Sequence, residues 1–281
     1  MNLAIRDIRH NRGRFLLTCF GLSLLLGVVM SMIGIYRGLV ADALGVARAP
    51  GADLWIVDAR TRGPFAEASR IPADARDAVA RVAGVKAAGA LTFQSVEAPF
   101  RGAMLRLYVV GYEPGRPGGP PLLAAGRTPA TDHYEVVADQ RSGLVPGDAL
   151  TLGRARFQVV GTTQGQVATG GDPVVFMSLQ DAQRLQFDLA PAVQRREMAR
   201  GAGGGASGVV NAVVAILDNN AAIDHVADTI RRWKHLAALT QAQAEVTLHR
   251  VDHEMAELHD EGFVQAQILA QRLALFGGGV L

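Results

Sequence analysis

The clearest pattern along the chain is an apolar run near its start. No charged residue occurs between Arg14 and Arg37, and the 22 residues from Phe15 to Tyr36 are mostly apolar. A helix rises about 1.5 Å per residue, so a run of this length can cross the hydrocarbon layer of a bilayer, which is about 30 Å thick. The pattern predicts a membrane helix over 15–36.

The charges around this run predict its orientation. Four arginines and one aspartate precede it, whereas the residues that follow it carry both signs; the arginines are Arg6, Arg9, Arg12 and Arg14. Because basic residues flank the cytoplasmic end of a membrane helix, we expect residues 37–262 outside the cytoplasm. A cleaved signal peptide is the alternative, but its apolar core has only about 7–15 residues, so the longer run favours a retained helix.

After the anchor, short apolar runs separated by turn residues predict an α+β domain. Strands are predicted over 52–59, 85–98, 103–112, 135–139, 149–152, 156–163, 174–177 and 209–217, and helices over 72–82, 178–185 and 220–236. Pro72 is expected in the opening turn of its helix. Ser178 is expected to cap the helix that follows it.

Glycine-rich and proline-rich segments divide these elements into units. Residues 113–121 contain four prolines and three glycines, which excludes regular structure. The β-rich insert that follows, over about 122–190, is typical of small antiparallel barrels and sandwiches. The low-complexity residues 195–208 predict a loop. We expect the pieces on either side of the insert, 52–112 and 209 to about 250, to form one split α/β subdomain.

The last part of the chain again has a helical pattern. It covers residues 252–272 and continues into the apolar residues 273–281. The 19 residues of 263–281 contain Arg272 and are short for a span, so we expect them to be the start of a second membrane segment.

Composition narrows the functional classes. The chain is 49% hydrophobic and 19% charged, with a formal net charge of +2. It therefore lacks the excess of basic charge that is typical of nucleic-acid-binding proteins. Its single cysteine, Cys19, lies inside the apolar run, so the sequence contains no disulfide framework. The exported domain is therefore expected to be stabilised by its hydrophobic core alone.

The sequence gives no support for a nucleotide-binding or catalytic motif. Residues 203–208 match G-x-G-x-x-G, but they precede a predicted strand instead of following one, which favours a linker. The motifs G-x-x-x-x-G-K-[ST] and G-x-S-x-G do not occur in the sequence. We expect no ATP binding by this chain alone, no catalytic residue and no cofactor.

Histidines offer only weak candidates for a metal site. His249, His253 and Glu257 recur every four residues, a spacing that a zinc ion could bridge on one helix face. The charges interleaved around them favour a solvated or partner-facing helix, so no metal is predicted. The pairs Asp132–His133 and Asp224–His225 have no nucleophile motif nearby, and surface or capping roles are expected for them.

Short segments in a fixed order carry a resemblance to a known family. They are residues 3–18 (LAIRDIRHNRGRFLLT), 52–57 (ADLWIV), 82–85 (VAGV), 110–112 (VGY), 125–127 (AGR), 135–139 (EVVAD), 146–148 (PGD) and 157–162 (FQVVGT). The ordered set resembles ABC-transporter permeases that carry a MacB-like periplasmic core domain, the FtsX-related group, and is nearest to DevC-like export permeases. The likeness covers nearly the whole chain.

The resemblance implies a permease of the bacterial inner membrane. Its parts would be a cytoplasmic elbow helix over 1–14, the first span, an extracytoplasmic domain with a porter-like α/β subdomain and a β-rich insert, and three more spans. The sequence ends where the second span begins, so we expect a fragment of a longer product or a truncated copy. Implied partners are a cytoplasmic ATP-binding subunit, a second permease copy, a periplasmic adaptor protein and membrane lipid.

The elbow supplies the predicted site residues. Leu3, Ile5 and Ile8 would form its membrane-surface face. Arg6, Arg9, Arg12 and Arg14 would form its polar face, directed at lipid headgroups or at the ATPase. The alternative role of these arginines is to determine topology alone.

The predicted function is mechanical. The chain would couple a separate ATPase to movement of the extracytoplasmic domain. The alternative is a single-span receptor or envelope assembly factor that uses no ATP. Three further apolar spans downstream in the gene would support the permease, and a stop codon would support the single-span protein.

Overall fold

The computed structural model describes most of the chain between residues 12 and 246. The described residues are 12–48, 51–61, 63, 69–131, 133–168, 170–191, 195, 208–219, 221–233, 235–244 and 246. They belong to two compact units, one ending at Ala41 and one beginning at Asp42. We call the second unit the head.

Helix α1 (Arg12–Arg48) contains the whole predicted membrane run. Large apolar side chains along it are exposed; they are Leu16, Leu17, Phe20, Leu22, Leu24, Leu25, Leu26, Val28, Val29, Met30, Met32, Ile33 and Ile35. Within the described part of the chain, no helix has the combination of length and apolar character that crossing a membrane requires. The membrane helix over 15–36 therefore stays a prediction.

The described residues of the head form strands, three named helices and a 3₁₀ turn. The strands are β1 (Leu54–Asp58), β2 (Ile71–Pro72), β3 (Val85–Phe100), β4 (Ala103–Tyr112), β5 (Leu123–Gly126), β6 (Glu135–Asp139), β7 (Ala149–Leu152), β8 (Ala155–Thr163), β9 (Val174–Ser178), β10 (Val209–Val210), β11 (Ala212–Leu217) and β12 (Leu236–Thr240). The helices are α2 (Ala75–Ala80), α3 (Leu179–Leu189) and α4 (Ile223–Arg231), and a 3₁₀ turn covers Gln140–Ser142.

One sheet joins most of these strands. Its order is β12-β1-β11-β3-β4-β9-β6-β8-β5, with β7 also paired to β8, while β2 and β10 form a separate pair. Strand β1 pairs with β11 and β12, so residues 54–58 share one sheet with residues 212–217 and 236–240, as a mixed α/β domain of two distant chain segments requires. We call β1, β2, β10, β11, β12, α2, α4 and residues 85–91 of β3 the α/β half, because Ile71 of β2 and Val210 of β10 are buried in the same core.

The α/β half packs both of its helices on one face of its sheet. Val79 of α2 and Ile230 of α4 are fully buried in one cluster with Ile56 and Val213 of the strands. Burial of these apolar side chains is the main favourable contribution to folding of this half. Leu179 at the start of α3 packs against the same cluster.

The remaining strands and α3 form the β-rich half, which begins at residue 92. Its core lies between residues 96–100 of β3, β4, β6, β7, β8, β9 and α3, and includes Val96, Leu107, Leu150, Phe157 and Leu185. Strand β7 lies close to β3, so the strands curve around this core. A third cluster, with Trp55, Val214, Tyr112 and Phe176, extends across both halves.

The sequence pattern of the insert is typical of small antiparallel barrels and sandwiches, but two of its strand pairings are parallel. Strand β6 pairs in parallel with β8, and β4 pairs in parallel with β9. The reason is the connections: between β6 and β8 the chain makes a 3₁₀ turn and the antiparallel strand β7, so β8 runs in the same direction as β6.

Most predicted elements are present, with changes at their ends. Ser178 caps α3, because its Oγ accepts a hydrogen bond from the Asp181 amide at 3.2 Å. Pro72 is not in the helix, since it ends β2 and α2 begins at Ala75. The last predicted helix is shorter than expected: it ends at Arg231, and the chain returns as β12.

The predicted irregular segment 113–121 packs against β3. The Ala90 amide donates to the Glu113 carboxylate at 3.1 Å, and the same carboxylate contacts Arg76 of α2 at 3.2 Å. Gly89 of β3 has no side chain, and the Pro117 carbonyl group occupies the space where one would lie. This contact between two backbones requires glycine at position 89.

We predict that Gly89→Ala destabilises the head. A methyl group would collide with the Pro117 carbonyl, and overpacking of this kind costs about 1–3 kcal/mol. The melting temperature should fall by about 2–4 °C for each kcal/mol. Gly170→Ala is the matched control, because its methyl group would meet only the Asp172 carboxylate at 4.0 Å. Equal melting temperatures for the two variants would contradict the prediction.

Candidate functional site at the junction of the two halves

The two halves of the head meet where β3 changes its partners. Leu91 pairs with Ala212 of β11 on one side and with Tyr112 of β4 on the other. Residues before Leu91 pair with β11, and residues after it pair with β4. One strand therefore belongs to both halves.

Asn211 makes hydrogen bonds to β3 at the point where this strand changes its partners. Its amide donates to the Leu91 carbonyl at 2.9 Å, and its side-chain Oδ1 accepts from the Phe93 amide at 2.8 Å. The same Oδ1 accepts from the Thr92 hydroxyl at 2.7 Å, while Nδ2 donates to the Ser69 carbonyl at 2.8 Å. The residues before Asn211 pair with β2 and not with β3. The Asn211 side chain therefore supplies the hydrogen bonds to β3 that a neighbouring strand would otherwise make.

Helix α3 reaches the same place. Gln186 donates from Nε2 to the Thr92 hydroxyl at 2.7 Å, and Thr92 is buried. A side chain at Gly111 of β4 would collide with both Ala182 of α3 and Thr92, so glycine lets the helix approach the sheet closely. Gln94 donates to the Ala182 carbonyl at 3.2 Å. These hydrogen bonds are directional and partly shielded from water, so they fix geometry as well as add stability.

Aromatic rings cross the junction on the other face of the sheet. The rings of Trp55 and Phe93 are 6.4 Å apart, and those of Phe93 and Tyr108 are 6.2 Å apart and nearly parallel. Burial raises the pKa of the Tyr108 phenol above its ordinary value, so this ring stays neutral. The row connects β1, β3 and β4, and therefore adds an apolar contact between the halves.

Two carboxylates hold the loop between β5 and β6. Glu135 binds the Arg127 guanidinium at 2.5 Å and accepts from the Ala130 amide at 2.7 Å. The hydrogen bond from Arg127 lowers the pKa of Glu135 to about 2. Buried Asp181 accepts from the Tyr134 amide at 2.8 Å and lies 3.0 Å from Nδ1 of His133.

Most of the site residues that the sequence predicts are not among the residues that the structure describes. Leu3, Ile5, Arg6, Ile8 and Arg9 are outside the described residues, while Arg12 and Arg14 begin α1. The glycine tract 203–207 and the candidate ligands His249, His253 and Glu257 also lie outside them. Among the residues that the structure describes, no group of histidine, cysteine and acidic side chains could hold a metal ion.

Sequence reasoning missed the junction itself. Asn211 interrupts the apolar run VVNAVVAIL, and a polar residue inside a buried strand was the available signal. His133, expected to have a surface or capping role, is half-exposed and contacts a buried carboxylate. No short-range pattern places Gln186 beside Thr92, because 94 positions separate them in sequence.

Similar proteins give a consistent family assignment. The MacB-like periplasmic core domain family matches residues 15–233. An uncharacterized ABC transporter permease of Mycobacterium tuberculosis (Rv0072) is 28% identical over 191 residues, which are 68% of this chain and 54% of the relative. A second, from Mycobacterium bovis (Mb2592), is 25% identical over 190 residues with the same coverage. The chain spans about half the length of the curated relatives it matches.

Solved structures with some likeness are extracytoplasmic domains. The extracellular domain of the noncanonic ABC-type transporter YknZ from Gram-positive bacteria has a TM-score of 0.45 and 11% identity, covering 66% of this chain and all of that one. The periplasmic region of MacB from Actinobacillus actinomycetemcomitans has a TM-score of 0.45 and 10% identity, covering 71% of this chain and 94% of that one.

We predict that Glu135→Gln removes an acid-dependent part of the stability. The folded-state pKa of about 2 lies below the ordinary 4.5, so ionised Glu135 stabilises the head above about pH 4.5 and this contribution is lost as the pH falls toward 2. Melting temperatures should therefore differ most between the natural protein and the variant near neutral pH, and converge in acid.

Glu97→Gln is the control for this experiment, because Glu97 is exposed and lies 4.0 Å from Arg106. A surface ion pair of this kind contributes little. A difference between Glu135→Gln and the natural protein that stays constant from pH 7 to pH 3 would contradict the role given to the Glu135 carboxylate.

Proposed function

Because the chain belongs to the family of MacB-like periplasmic core domains, we propose that it acts as the permease subunit, or as part of the permease subunit, of an ABC-type export or mechanotransmission system. Its relatives are named ABC transporter permeases. In this function the chain does no bond chemistry. It connects a separate ATP-binding subunit in the cytoplasm with movement of the head outside the membrane.

The observation that carries the proposal beyond family membership is the shared strand β3. A domain that transmits movement needs a rigid connection between its parts, because a flexible connection would absorb the movement. In the head, the backbone of β3 runs through both halves of one sheet, and the Asn211 hydrogen bonds and the Trp55–Phe93–Tyr108 row span the same point. This construction suits the transfer of a displacement between halves.

The anchor in this proposal is the run 15–36. Its side chains include a long series of exposed apolar groups, and exposing them to water would be unfavourable. Since no described helix meets the requirements of a membrane span, the anchor rests on the sequence, on these exposed side chains and on the family. The arginine bias before Phe15 places the N-terminus in the cytoplasm in this scheme.

The proposed partners follow from the same scheme. The elbow would meet the ATP-binding subunit or lipid headgroups through Arg6, Arg9, Arg12 and Arg14, and the membrane surface through Leu3, Ile5 and Ile8. A second copy of the permease would complete the membrane part, and a periplasmic adaptor protein would contact the head.

We predict that the head lies outside the cytoplasm. Alkaline phosphatase, which is active only after export, should be active when fused after Gly170, and a cytoplasmic reporter should be inactive at the same site. The control is the same pair of reporters placed directly before residue 12, where the activities should be reversed. An inactive phosphatase after Gly170 together with an active cytoplasmic reporter would refute the orientation.

We also predict that the chain recovers an ATP-binding subunit and has no ATPase activity of its own. Affinity purification from native membranes should bring down the subunit, and the double variant Arg6→Glu/Arg9→Glu should recover less of it because the elbow charge is reversed. The control is Arg154→Glu/Arg156→Glu, two exposed arginines of the head. Quantifying the chain in the membrane fraction separates lost binding from lost insertion.

Full recovery by the elbow variant would remove the assigned role of these arginines. ATP hydrolysis by the purified chain alone would refute the dependence on a separate ATPase. Membranes from which no ATP-binding subunit is recovered with the natural chain would favour the single-span receptor instead.

A further inference from the structure

Helix α3 contacts the cores of both halves of the head. Ala182 and Leu185 are buried in the core of the β-rich half. Leu179, at the start of the same helix, packs against the core of the α/β half. An eleven-residue helix that packs on two separate cores is in a position to control how they are oriented.

Two glutamines extend this contact on the side of Leu179. Gln183, which is only 5% exposed, donates from Nε2 to the Val209 carbonyl of β10 at 3.0 Å. Gln186 donates to the Thr92 hydroxyl, which in turn donates to Asn211. Residues three and four apart share one helix face, so Leu179, Gln183 and Gln186 form a single row. Leu179 and Gln183 contact the α/β half directly, and Gln186 is linked to it through Thr92.

The other end of the contact is fixed in the β-rich half. The helix follows β9 directly, and Ser178 at the end of that strand caps it. Asp181 in its first turn accepts the Tyr134 amide from the residue before β6. The helix is therefore fixed to the β-rich half, whereas Gln183 binds Val209 directly and Gln186 is linked through Thr92 to Asn211, in the segment that leads into β11.

We propose that α3 is a latch that sets the angle between the two halves, with Gln183 and Gln186 as its positioning residues. The apolar cluster that extends across both halves holds them together, but apolar contacts are non-directional and tolerate sliding. The two glutamine hydrogen bonds specify one orientation. The latch itself needs neither membrane nor ATPase; its use in transmitting movement rests on the proposed function.

The test measures the angle directly. In the full chain with Cys19→Ser, spin labels at Arg154→Cys and His225→Cys report the distance between the β-rich half and the α/β half by double electron–electron resonance. Both positions are exposed, and Cys19 is the only natural cysteine. A second pair, Arg81→Cys and His225→Cys, lies within the α/β half and serves as the internal reference.

The variant is Gln183→Ala/Gln186→Ala, and its matched control is Gln140→Ala/Gln158→Ala, two exposed glutamines of the same head. Thr92 keeps its hydrogen bond to Asn211 in the variant, and the Val209 carbonyl lies at an exposed residue where water can replace the amide. The variant is therefore expected to fold. If it does not, Gln183→Ala alone carries the same comparison, because Gln183 makes the direct hydrogen bond to the α/β half.

The latch requires a broader and shifted distance distribution between the halves in the variant, with the reference pair and the control variant unchanged. Unchanged distributions in the variant would overturn it. Broadening of both pairs would overturn it as well, because α3 would then support folding in general and not the angle. These measurements use no ATP-binding subunit, so their outcome is independent of whether the proposed function holds.

Discussion

A backbone amide buried in a sheet needs a hydrogen-bond partner, and this requirement is hardest to meet where a strand changes neighbours. In the head that place is residue 93. Its amide can no longer bond to β11, and Asn211 supplies an oxygen at 2.8 Å instead. The same side chain satisfies the Thr92 hydroxyl and binds the Ser69 carbonyl. Without such a side chain, the Phe93 amide would lose this hydrogen-bond partner at the point where β3 leaves β11.

Acidic side chains of the head also accept hydrogen bonds from backbone amides that lack a partner in a regular strand pair. Asp139 is fully buried and accepts the amides of Arg141 and Gln166 at 3.0 and 2.7 Å. Asp53 accepts the Leu217 amide at 2.7 Å, and Glu113 accepts that of Ala90 at 3.1 Å. These carboxylates bind backbone amides that have left the regular ladders, so their role is to fix loops against the sheet.

The sequence predicted elements with strong local patterns and missed those that depend on distant partners. Strand β6 (EVVAD) has β-branched residues and lies between turn signals, and its predicted and observed ends agree at Glu135 and Asp139. Strand β12 (LAALT) carries no strand signal of its own; β1 supplies its hydrogen bonds. The junction could not be predicted, because Gln186 and Thr92 meet through the fold and not through spacing. Asn211 in its apolar strand was the one local sign of it.

The pairing of β1 with β11 has a consequence for how the head is made. The Asp53 carboxylate and the Leu217 amide are 164 positions apart, and the whole β-rich half is encoded between them. During synthesis, β1 emerges first and has no partner until β11 follows. Contacts so distant in sequence form late and slow the folding of a chain. The β-rich half can therefore fold while β1, the first strand of the head, is still exposed and unpaired because β11 has not yet been synthesised.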